Sequence, residues 1–194
     1  MLILRKSQWQ FNTSAGTGIG LGAFNNEAGM FALDAPHNRT HKYVYSGFGL
    51  GQSRGLSTLL RLPRLALPKV IIKNDELNGS GSTTDFASRG WLYLTNSLNG
   101  TDLGKPEDLE GGTIYLEGAA GYLFGGTGSF MLLGISRKLL LMGIVKPDLI
   151  GMAIRSAPAA LITAGVNEGM QDTVGVALMF GQVEYRGLYA DDGK

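Results

Sequence analysis

Apolar and polar residues alternate with a period of two along most of the chain, the spacing of half-buried β-strands. Residues 8–12 read as a first short strand. The second carries an odd pattern. In 16-GTGIGLG-22 glycine takes every second position, so Gly16, Gly18, Gly20 and Gly22 share one face and Thr17, Ile19, Leu21 and Ala23 the other. Asn25-Asn26 reads as a turn, and 28-AGMFALD-34 as the return strand. A turn over 34-DAPHNR-39 leads into 41-HKYVYSGFGLG-51, an aromatic strand in which Gly47, Gly49 and Gly51 again line one face. Pro63 and Pro68 make 56–73 an irregular, partly extended crossing, and 74–85 is a polar loop with the composition of a mobile segment.

Strand signals return over 86–95. The segment 104–112 predicts one helical turn, with Pro106 at its start, acids in its first turn and Gly111 as its stop. Residues 113–126 and 128–136 predict an antiparallel pair joined by a glycine turn. The period then lengthens, and two helices are expected over 137–146 and 147–157, the second opened by Pro147. Alternation resumes over 159–166 and 173–187, flanking a turn at 167–172, and suggests a closing hairpin. The expected fold class is α+β and predominantly β. It is a coiled antiparallel sheet, a closed small barrel or a sandwich, with one or two short helices near 137–157.

Composition narrows the function. The 194 residues are 44% hydrophobic, which suits a single domain spanning 1–194. Charged residues are only 17%, below the roughly 25% of average soluble chains, which predicts poor solubility or a surface covered by a partner or a membrane. Seventeen Lys and Arg against sixteen Asp and Glu leave no charge excess of the kind a nucleic-acid binder carries. The absence of cysteine removes disulfides and thiol chemistry. The start, MLILRKSQWQ, has an apolar run of three residues and lacks the apolar region of a secretory signal. The expectation is cytoplasmic synthesis, with any export by a signal-independent system.

Four stretches invite a chemical reading. In 51-GQSRG-55, Ser53 matches the serine-hydrolase elbow, but no histidine follows it and Pro63 would cut short the helix that the elbow requires. Asp34, His37 and His41 suggest a metal, yet Pro36 and Asn38 put His37 in a turn and His41 in the next strand, with no third strong ligand. The stretch 16–22 has Leu21 where a dinucleotide fingerprint needs its last glycine, and 100-GTDLGKP-106 has Pro106 where a phosphate loop needs Ser or Thr. No cofactor, metal or small-molecule substrate is expected.

The glycine faces remain. A bare strand face lets another backbone or an aromatic ring approach, and it permits the coiling that closes a small barrel. Trp9, Phe24, Phe48, Tyr122, Phe124 and Phe130 are available to lie over such faces. From Gly118 to Ser136 there is no charged residue. Gly118, Gly121, Tyr122, Leu123, Phe124, Gly125, Phe130 and Met131 are therefore the candidate membrane or partner contacts, in a buried hairpin or a membrane-active one. Residues 31–70 and 117–134, with an acidic-Pro turn, a Tyr/Gly strand and a Leu-Pro-rich crossing, resemble glycine-rich bacterial proteins associated with type VI secretion clusters. The resemblance implies a protein exported without a signal peptide and assigns no activity. Three functions are carried forward. The first is a non-enzymatic, secretion-associated effector that acts on membranes, and the second a soluble interaction or self-association module. The third is a hydrolase using Ser53.

Overall fold

The computed structural model describes residues 2–21, 24–37, 39–52, 70–72, 89–117, 128–164 and 176–189. Among these residues are nine strands: β1 (Leu2–Leu21), β2 (Phe24–Asp34), β3 (Thr40–Gln52), β4 (Val70–Ile72), β5 (Arg89–Thr95), β6 (Gly111–Glu117), β7 (Gly128–Ile135), β8 (Ala159–Ala164) and β9 (Val176–Leu188). Two short helices, α1 (Arg137–Val145) and α2 (Ile150–Ser156), lie between β7 and β8. Eight strands pair antiparallel in the order β1-β2-β3-β9-β6-β7-β8-β5 and return to β1. The circuit closes through Gln10, which pairs with Asp34 of β2 and with Trp91 of β5. β4 adds in parallel to Leu2–Leu4. The expected β-dominated class, with short helices near 137–157, is the one observed.

Three local expectations are corrected. The strands expected at 8–12 and 17–23 are one continuous strand. Its register slips between Phe11 and Thr13, leaving Asn12 as an extra residue, and this bulge shifts the phase of the alternation midway. Asn25 and Asn26 pair with Gly20 and Ile19 inside the β1–β2 ladder rather than turning the chain, because Leu21 pairs with Phe24 and leaves two residues for the connection. β8 and β9 do not form a hairpin. β8 pairs with β5 and β7, whereas β9 sits between β3 and β6. The one-turn 3-10 helix over Pro106–Leu109 and the antiparallel pairing of 112–117 with 129–135 stand where the pattern put them, as does the turn after Asp34, while Asn38 and the expected glycine turn with the strand residues 118–126 lie outside the described residues. Most of the 56–73 crossing, the 74–85 loop and the 167–172 turn lie outside the described residues.

The sheet has two apolar faces. The inner one packs Trp9, Phe11, Phe31, Leu33, Tyr43, Leu92, Leu94, Met131, Leu133, Leu161 and Val183. The outer face of β5 to β8, with Tyr93, Ile114, Phe130, Leu132 and Ile162, is covered by Leu140 of α1 and Ile150, Ala153 and Ile154 of α2. Pro147, which cannot continue α1, turns the chain between the helices. Gly143 lets them meet: a Cβ there would lie 2.8 Å from Ile150 Cδ1 and 2.9 Å from its Cα.

Candidate functional site at the glycine-rich end of the barrel

The inner face changes character along the strands. Near the 34–40 turn it is filled by rings. Phe31 stacks on Tyr43 at 5.0 Å, Tyr43 meets Tyr185 at 5.5 Å, and His41 lies between Tyr185 at 5.6 Å and Trp9 at 5.2 Å. The polar tips of this cluster are satisfied. The Tyr43 hydroxyl donates to the Pro106 carbonyl at 3.1 Å, and His41 Nδ1 shares a 2.8 Å hydrogen bond with the Tyr185 hydroxyl. Burial, reinforced by nearby Arg39, holds the His41 pKa below its ordinary value against the pull of Glu107 and Asp34. Burial also raises both tyrosines, Tyr43 most, with Glu107 adding to the effect on each. Asp34 anchors the bulge: it accepts from Asn12 Nδ2 at 3.1 and 3.2 Å and from Thr40 Oγ1 at 2.5 Å.

Further along the strands the ring-bearing positions give way to glycine. Phe31 pairs with Tyr43, and the next pairs in that alternation are Gly29 with Tyr45, then Glu27 with Gly47 and Asn25 with Gly49. On β1 the same face continues through Gly16, which pairs with Gly29, and on through Gly18 and Gly20. Gly47 pairs in turn with Gly181 of β9, and Gly181 with Thr113 of β6. Thr113 is buried and donates to the Leu132 carbonyl at 2.7 Å, while the Ser129 and Thr163 hydroxyls meet at 2.6 Å. This stretch of the inner face thus carries glycines and hydroxyls on several strands, with Tyr115 and Met179 buried at the next level beside Gly49. A 10 Å³ cavity lined by Tyr45, Gly47, Thr113, Tyr115, Met179 and Gly181 has room for a single water.

The glycines do two jobs predicted for bare strand faces. At Gly181 a Cβ would sit 2.1 Å from the Ser46 carbonyl oxygen, so β3 and β9 approach closely through tight coiling. At Gly90 a Cβ would sit 2.4 Å from Phe11 Cγ, so an aromatic ring lies on a bare strand. Phe11 was not among the rings expected to do this. Trp9 and Phe130 belong to the two cores, and Phe48 points outward, 57% exposed.

Of the candidate contacts, Phe130 and Met131 are described. They are buried on opposite faces of β7, Phe130 beneath the helices and Met131 within the barrel. Gly118, Gly121, Tyr122, Leu123, Phe124 and Gly125 lie outside the described residues, as does Ser53. His37 is exposed in its turn and His41 buried in the ring cluster, and no metal-holding group of three or more His, Asp or Glu occurs among the described residues. Sequence reasoning missed the ring cluster. Its signal lay in 41-HKYVY-45, where His41, Tyr43 and Tyr45 alternate onto one face.

No family model matches the chain, and no solved structure matches it. The chain is similar to the toxin protein Tse4 of Pseudomonas aeruginosa, with 29% identity over 190 residues that cover 93% of this chain and 95% of that protein.

Proposed function

We propose that this chain is a secretion-associated bacterial toxin that acts on membranes, with the glycine-rich end of the barrel entering the bilayer. The observation that carries the reading is the division of faces on β3. Inward positions beyond Tyr45 are Gly47 and Gly49, while the outward Phe48 between them stands in solvent. Small inside and apolar outside is the pattern of a strand that faces lipid on one side and a lumen on the other. An eight-stranded barrel has an interior that ordinary side chains just fill, so glycine at the inward positions of β1 and β3 is what would make room on that side. The strands have the reach: β2 runs 11 residues, and β3 and β9 run 13 each, against the 9–11 or so that a tilted transmembrane strand needs. No helix among the described residues is long and apolar enough to cross a membrane, and the reading places the crossing in strands. The likeness to a toxin supports the coarser part of it.

The test is dye release from liposomes by the purified full chain, with flotation as the binding control. Release at low protein-to-lipid ratio is expected. A protein that empties no vesicles, whether or not it floats with them, would overturn the reading.

A further inference from the structure

Among the described residues, five of the seven exposed large apolar side chains lie on the helices, Phe48 and Leu188 being the other two. Leu141 is 64% exposed and Val145 78%, and Met142, Ile144 and Met152 are exposed beside them. Within α1, Leu140 packs on the barrel and Gly143 on Ile150 of α2, and Leu141 and Val145 fall on the opposite side of the turn. A helix apolar on both its core and its solvent face is one whose second face is made to be covered.

Charge identifies the cover. Segment 137–157 carries Arg137, Lys138, Lys146 and Arg155 against a single acid, Asp148, giving 4 − 1 = +3. The whole chain is +1, so everything else sums to 1 − 3 = −2. All four cations are exposed. Arg137 heads the row Leu141–Val145, and Lys138 heads the row containing Met142. Two cations in the first turn of a helix oppose its dipole, so their placement does nothing for the stability of α1.

We infer that the α1–α2 pair is a docking platform for an anionic lipid surface, with the exposed apolar side chains entering the acyl boundary and the flanking cations meeting headgroup phosphates. The inference rests on the membrane-acting reading and adds to it the lipid class and the element that makes first contact. It differs from that reading in location, because the helices cover the outer face of β5 to β8 and the glycine column lies inside the barrel.

The test floats the full chain with vesicles of phosphatidylcholine alone and of equal parts phosphatidylcholine and phosphatidylglycerol, alongside dye release from both. The wild type should bind the anionic vesicles in preference, and added salt should weaken the binding. Leu141→Gln with Val145→Gln, and separately Arg137→Gln with Lys138→Gln, should each weaken it by about tenfold or more. All four side chains are exposed, so the urea midpoint of both variants should match the wild type. Variants that bind as the wild type does, or equal binding to both vesicles, overturn the inference. So does a dimer that the Leu141/Val145 variant dissolves while vesicle binding persists. Dye release unchanged in both variants would sink the docking platform and leave the membrane-acting reading standing. Cation-dependent flotation without release would do the reverse.

Discussion

At the scale of single residues, two positions set the tolerance of the barrel interior. Gly90 is a contact surface for Phe11, and any larger residue must displace a ring buried at 2% exposure. Gly90→Val should cost about 1–3 kcal/mol, the usual penalty of overpacking, and lower the urea midpoint with the slope unchanged. His41 gives a pH signature. Packed between Trp9 and Tyr185, it is neutral in the fold at pH values where the unfolded chain would protonate it. Its folded pKa lies below the ordinary 6.5, so the unfolded state binds more protons between the two values. Stability should therefore be flat above pH 6.5, fall as the pH drops through the folded pKa, and level off below it. The neighbouring Arg39 works in the same direction, while Asp34 and Glu107 oppose it and soften the fall. Chemical denaturation across this range should show the step in the wild type and lose it in His41→Gln.

At the scale of elements, the sequence was legible where one rule governed and opaque where two competed. Strand alternation located β3, β5, β6 and β7, and Pro106 and Pro147 placed the helical turns. β1 was split in two because the Asn12 bulge reverses which parity faces inward, and a period-two pattern has no way to carry a phase slip. Asn25-Asn26 has turn chemistry, yet two long paired strands hold it extended. The neighbours of β9 were unreadable because pairing partners are set by the closed sheet and not by adjacency in the chain. Of the candidate site, the alternating glycines were plain in the sequence, whereas the ring cluster and the exposed face of α1 needed the fold. β3 offers the element-scale test of the proposed function. Phe48→Asp replaces an exposed side chain, so the soluble fold should persist with its melting curve intact. A charge on a lipid-facing position costs about 2–4 kcal/mol at the bilayer midplane, so dye release by this variant should fall at least tenfold.

At the scale of the whole molecule, the barrel consists of an N-terminal sheet, β1 to β3, and a second sheet of β5 to β8 joined to it at Gln10. Between them lies β9, paired with β3 along one side and β6 along the other. The β3–β9 contacts span more than half the chain in sequence, the kind of pairing that forms late and slowly. Until β9 is made, β3 and β6 each present a free strand edge, and the glycine column on β3 has no Gly181 across from it. β9, the last in chain order of the described strands, is therefore the one that seals the molecule. A growing chain is an open sheet with two adhesive edges, which any protein that handles it before release must keep apart.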